Sequence, residues 1–153
     1  MCLRFSAESR FPAVLLAAVL FASCAGVDGP LCEAVDPFIG TGGHGHTYPG
    51  ATVPFGMVQV SPDTRLEGWD GCGGFHITDD VVYGFSHTHL QGTGVSDYGD
   101  ILLMPTVGPM DTADVWRDRY RDRFVEGSQE AHAGYYRCEL ERSRIEVELT
   151  ASE

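Results

Sequence analysis

Lysine is absent from this sequence. All ten basic side chains are arginine, and 22 acidic ones set against them give a formal net charge of −12. A pool that acidic repels phosphate backbones and anionic lipid headgroups, which disfavours a nucleic-acid-binding or polybasic membrane-surface role. Five cysteines are present but no C-x-x-C pair, so zinc-finger and redox-motif readings both fail. Past the N-terminus there is no long apolar run, no internal repeat and no apolar pattern at helical spacing. What is present is globular material. The 19 glycines and 8 prolines stop short of low complexity, and 43% apolar content with 8 Phe, 6 Tyr and 2 Trp suffices for a core. A length of 153 residues predicts one domain at most.

The first thirty residues read as an address. Arg4 and Arg10 precede an apolar run from Phe11 to Ala22, too short to cross a bilayer and suited to a signal-peptide hydrophobic region. The run ends in Phe21-Ala22-Ser23-Cys24, which resembles a bacterial lipoprotein signal whose cysteine takes the lipid and becomes the mature N-terminus. The leucine of that pattern stands one place early, at Leu20, and ordinary cleavage after Ala25 is the alternative. The expected organisation is a signal of lipoprotein type over 1–24, a linker over 25–34 and one domain over 35–153. The protein is then exported: held at a bilayer through lipid on Cys24, or else periplasmic or secreted. Cys32, Cys72 and Cys138 remain as thiols, an odd set without a disulfide framework.

From Val35 onward, short strand candidates alternate with glycine and proline, and the expected fold class is all-β. The strands predicted are Phe55 to Val60, Ile101 to Val107, Tyr135 to Leu140 and Ile145 to Thr150. In the last, Ile145, Val147 and Leu149 face one way and Glu146, Glu148 and Thr150 the other, as one buried and one wet face of an antiparallel sheet require. The short connection from Glu141 to Arg144 makes the last two a hairpin. Trp116 to Glu126 alternates arginine and aspartate, a pattern for a turn or two of solvated surface helix. The sequence stops directly after a strand, at Ala151-Ser152-Glu153, which reads as truncation and leads to the expectation of uncovered strand edges.

Several constellations carry possible chemistry. Gly40, Gly42 and Gly45 literally satisfy G-x-G-x-x-G, but Thr47, Tyr48, Pro49 and Gly50 follow where a dinucleotide site needs a helix. A glycine-rich loop presenting His44, His46 and Tyr48 is what remains. His44 and His46 form one H-x-H and His87 and His89 another; on strands such pairs share a face, and four imidazoles would make a cupin-like transition-metal site. No glutamate completes that motif, and histidines bonded to a sugar, a loop or backbone are the favoured reading. Trp69 and Asp70 stand among glycines, an arrangement suited to a sugar: the indole packs on pyranose C–H groups while the carboxylate accepts from hydroxyls. A buried core tryptophan is the rival. Asp97 and Asp100, three apart, suit acid–base work, a hard cation or nothing beyond an Asx turn.

Taken in order, VDPFIGTGGHGHTYPGATVPFGMVQVSPDTR, GWDGCGGFH, GFSHTHLQGTGVSDYGDILLMPT, GYY and ELTASE closely resemble the N-terminal part of glycoside hydrolase family 92. The resemblance spans residues 35 to 153. It implies an antiparallel β-sandwich that in the family precedes an (α/α)6 barrel, the active site lying in the cleft between them. It implies an exported, calcium-dependent, inverting exo-α-mannosidase, often a lipoprotein, that acts on N-glycans or mannan. The general acid, the general base and most calcium contacts would lie in the helical domain, so no catalytic residue is expected in this chain. The sandwich would contribute one wall of the cleft, with Trp69, Asp70, His44, His46, His87 and His89 as substrate-binding candidates and Trp69 the foremost. Gly71 stands where family members commonly carry a large residue, and Gly74 is nearby, which leaves linkage preference unassigned. Partners implied are a mannose-containing glycan, the helical domain of the same protein and a bilayer; no nucleic acid is among them. The 153 residues alone are expected to be inactive, and the alternative is a surface glycan-binding lipoprotein without catalysis.

Overall fold

The computed structural model describes residues 30–152 apart from 56, 93 and 98. The expected signal segment, with Cys24, lies outside the described residues, as does most of the expected linker; its end, Leu31–Ala34, forms an exposed 3-10 turn. Every strand pairing among the described residues is antiparallel. Strand β1 (Ser61–Asp63) pairs with β3 (Gly84–Ser86), β2 (Val81–Val82) pairs with β4 (Asp122–Arg123), and β5 (Glu130–His132), β6 (Tyr135–Glu139) and β7 (Glu146–Thr150) form a three-stranded meander in that order. The class is all-β.

Alternation builds the meander. Tyr136 and Cys138 of β6 lie opposite Leu149 and Val147 of β7, and these four join Phe75, Val82, Phe85, Phe124 and Leu140 in the core. On the wet face the Arg137 guanidinium donates to Glu146 at 2.5 Å and the Tyr135 hydroxyl to Glu148 at 2.8 Å, cross-strand pairs worth a few tenths of a kcal/mol each (~0.2–1). The hairpin turn is fastened from outside: the Asp122 carboxylate accepts from the backbone N–H groups of Arg142 and Ser143, both at 2.9 Å, and of Arg123 at 2.8 Å. Burial pushes the Asp122 pKa up, but these N–H donors and the Ser143 side chain outweigh it and hold the carboxyl below its usual range.

Two predicted strands are corrected. Phe55 takes φ 65° and is fully exposed after Pro54, so the chain turns there; among the described residues of Phe55 to Val60 only Val60 pairs, with Ala51. Ile101 takes φ 56°, and of Ile101 to Val107 only Leu103 pairs, exchanging two backbone bonds with Phe85 before Pro105 removes the next donor. The surface helix also moves. It is α1 (Thr112–Trp116), started by a capping box in which Asp111 accepts from the N–H of Asp114 and Asp114 accepts from the N–H of Asp111. The arginine-aspartate stretch instead supplies a turn and β4, its ion pairs lying at the surface.

A buried histidine–aspartate pair fixes the middle of the domain. His89 faces Asp63 through Nε2 at 3.2 Å, while its Nδ1–H donates to the carbonyl of Gln59 at 2.8 Å. The other Asp63 oxygen accepts from the backbone N–H of Ser86 at 2.9 Å, and both side chains are almost wholly buried. Removing one partner strands the other. Replacing His89 with Ala is expected to cost about 1–3 kcal/mol, because it leaves the buried Asp63 side chain short of a hydrogen-bond partner; urea titration reads this directly. Replacing Asp122 with Ala is expected to cost about 1.5–3 kcal/mol by unfastening the hairpin turn. Since its native pKa is depressed, the Asp122 contribution is present above the unfolded-state pKa and lost as pH falls through the native one, so the gap between wild type and Asp122→Ala narrows in acid.

Candidate functional site

The glycine-rich segment folds onto itself because side chains are missing where backbone meets backbone. A Cβ on Gly45 would lie 1.8 Å from the Gly40 carbonyl oxygen, an approach only glycine permits. The loop is tied to the body by His76, whose Nε2–H donates to the Gly43 carbonyl at 3.2 Å while its Nδ1 accepts from the Thr78 hydroxyl at 2.8 Å. No helix follows, so the G-x-G-x-x-G match has no phosphate site behind it. At the tip His44 is 78% exposed; His46, with φ 54°, turns its ring inward and is only 7% exposed.

Across from the tip, Gly68 with φ 87° turns the chain into the 3-10 turn Trp69–Gly71. Trp69 is 63% exposed, which removes the core-tryptophan reading. Its indole meets the His46 ring edge-on, the centroids 5.2 Å apart. Asp70 receives both imidazoles on one oxygen: His44 Nδ1 lies 2.6 Å and His46 Nε2 3.2 Å from Oδ1. The hydrogen bond from His44 is the main reason the Asp70 carboxyl sits below the usual carboxylate range, with His46 adding to it. Asp70 is therefore a fixed, charged acceptor rather than a proton donor. An exposed indole beside a partly exposed carboxylate is what recognition of a hydroxylated ring requires.

The structure brings together Trp69, Asp70, His44 and His46 and sets the second H-x-H apart. His89 is committed to Asp63 and Gln59 in the interior, and the Nδ1–H of His87 donates to the Ile101 carbonyl at 2.9 Å. The four-imidazole metal site is thus not assembled: among the described residues the one group with metal-ligand proximity is His44, His46 and Asp70, their ligand atoms within 4.8 Å of one another. Calcium prefers six to eight oxygens, and two imidazoles with one carboxylate do not fit it. Asp100 accepts from the Thr88 hydroxyl at 3.2 Å and its N–H donates back to that hydroxyl at 3.0 Å, the turn-like role that needs no function. Sequence reasoning passed over His76 and Gly94, residues that hold the loops from behind. A lone histidine and one glycine among 19 carry no local signal of a contact made across the fold.

The profile of the Glycosyl hydrolase family 92 N-terminal domain matches residues 34–153. A protein of Arthroderma benhamiae described as an uncharacterized secreted glycosidase is 32% identical over 149 residues, 94% of this chain and 19% of that protein. Among solved structures, the family GH92 α-mannosidase BT3965 from Bacteroides thetaiotaomicron, in complex with mannoimidazole, superposes with TM-score 0.73 at 38% identity over 81% of this chain and 17% of its own. The GH92 family glycosyl hydrolase ccman5 superposes with TM-score 0.66 at 28% identity, over 80% of this chain and 18% of its own. The chain spans about a fifth of the length of these relatives. Fold and comparisons place it first as an antiparallel β-sandwich domain of the glycosidase class. More particularly, the chain belongs to glycoside hydrolase family 92, as that family's N-terminal domain.

Replacing His44 with Ala removes the leading cause of the Asp70 shift, so the Asp70 pKa is expected to rise toward the ordinary carboxylate value of about 3.9. A carboxyl-detected NMR titration of the two proteins checks it.

Proposed function

We propose that this domain forms the β-sandwich wall of the active-site cleft in an exported, inverting exo-α-mannosidase acting on mannose-containing glycans such as N-glycans or mannan. The observation that carries the reading is the paired surface of Trp69 and Asp70, an exposed indole beside a carboxylate whose Oδ1 is already held by His44 and His46. The indole would cover the C–H face of the terminal sugar, and Asp70 Oδ2 would accept from its hydroxyls. Membership in family 92 and the solved α-mannosidase with 38% identity supply the reaction class.

Inversion of configuration needs a protonated carboxyl on the leaving oxygen and a carboxylate across the ring to activate water, roughly 6.5–9.5 Å apart. Asp70 does not suit the acid role, because two imidazoles hold its carboxyl group in the charged form, and the same lowered pKa makes it a weak base. We therefore assign the acid, the base and the calcium ligands to a helical domain of the same protein, and to this chain the binding and orienting of the sugar. Export through the N-terminal signal, with lipid on Cys24, belongs to the same reading, and the relative described as secreted supports export.

The 153-residue polypeptide by itself is expected to release no mannose from an α-mannoside, and sensitive chromatography of the reaction would detect any turnover. In the complete gene product, Trp69→Ala is expected to lower kcat/KM about 3- to 10-fold for the loss of one stacking contact. Because Trp69 stands exposed in this domain without help, glycan binding without chemistry is the second reading. It predicts equal glycan affinity for the isolated chain and the complete gene product, and no mannose release by either.

A further inference from the structure

The Trp69 indole is supported from below by a part of the chain that has no side chain to offer. A Cβ added to Gly94 would lie 1.9 Å from the indole Cζ3 and 2.3 Å from Cε3, so the six-membered ring rests directly on the Gly94 backbone. The same stretch is bonded to both loops of the candidate site. The Gly92 N–H donates to the His46 carbonyl at 2.9 Å, and the Ser96 hydroxyl donates to the Gly68 carbonyl at 3.1 Å. Gly92 thus holds the histidine loop, Ser96 holds the turn that starts at Trp69, and Gly94 lies under the ring between them. His46 closes the indole's edge at 5.2 Å.

We propose that Gly94 is a positioning residue for sugar recognition, its bare backbone seating the Trp69 indole beside Asp70 while Gly92 and Ser96 hold the two loops in register. The inference rests on the reading of Trp69 as a sugar contact only for its functional consequence; the seating itself is independent of any ligand. Gly94 does not occupy the left-handed region that would make alanine costly, unlike Gly92 with φ 67° and Gly99 with φ 82°. The atoms that alanine would meet belong to the outer ring of a side chain that is 63% exposed and has room to swing away. Alanine at 94 therefore displaces the indole and leaves the fold in place.

The test uses Trp116→Phe as background, which makes Trp69 the sole indole of the chain's two. Gly94→Ala is expected to raise acrylamide quenching of Trp69 and to shift its emission, with a cooperative unfolding transition retained. In the complete gene product the same substitution is expected to raise KM for an α-mannoside about 3- to 10-fold with kcat little changed, as loss of one stacking contact implies. Ser96→Ala, which frees the Gly68 carbonyl without adding an atom, is expected to move the quenching in the same direction by less. Unchanged Trp69 quenching in Gly94→Ala overturns the proposal, as does loss of cooperative unfolding, which would make Gly94 a packing residue. An unchanged KM in Trp69→Ala would instead overturn the sugar-contact reading and leave the seating of the indole intact.

Discussion

The pairing of His89 with Asp63 is the constraint on which the rest of the domain depends. Two polar side chains taken out of water are tolerated only where geometry satisfies them, and here each has further partners: Gln59 and Ser86 for the imidazole, the Ser86 N–H for the carboxyl group. That requirement fixes β1 against β3 and draws the Gln59 segment onto the same spot. Gly74 passes so close that a Cβ there would lie 2.7 Å from the Asp63 carboxylate, and its carbonyl accepts from the N–H groups of Thr64 and Arg65. The loop carrying Trp69 and Asp70 is therefore closed at its far end on the buried pair. Tyr48, which ends the glycine-rich loop, lies against the His89 ring with centroids 4.9 Å apart. Both loops of the candidate site are hung from one interior histidine–aspartate contact.

The division of labour follows. Residues that face solvent at the site are few, and each is oriented by something behind it: His44 and His46 by glycine-permitted folding and by His76, Asp70 by the imidazoles, Trp69 by Gly94 and His46. Such a surface offers shape and a fixed carboxylate, Asp70, held below the usual carboxylate range. Under the proposed function, the chemistry of glycosidic cleavage would fall to groups on the opposite side of the sugar, and this domain would supply one rigid wall.

Legibility in the sequence followed the range of the interactions involved. The hairpin of β6 and β7 was readable because its period of two and its four-residue connection are local. The segment after Pro54 was not, since an apolar run looks like a strand until Phe55 adopts a positive φ that its letters do not announce. Likewise α1 is a product of Asp111 and Asp114 capping five residues, while the more conspicuous charge pattern belongs to the stretch beside it. In the site, the glycine-rich loop and the Trp69-Asp70 pair were each visible as compositions, but their meeting across 26 residues is a tertiary fact. The two H-x-H motifs show the limit most plainly. One lies on a loop where the left-handed turn at His46 sends its rings to Asp70, and the other divides between an interior aspartate and a neighbouring carbonyl. Residue spacing alone could not separate them.

The most direct test of the central claim, that Trp69 and Asp70 form the sugar-facing wall, is mannoside hydrolysis by the complete gene product with and without Trp69→Ala, read beside thermal unfolding. The account predicts a fall in kcat/KM with the unfolding midpoint unchanged. An unaltered kcat/KM would contradict it.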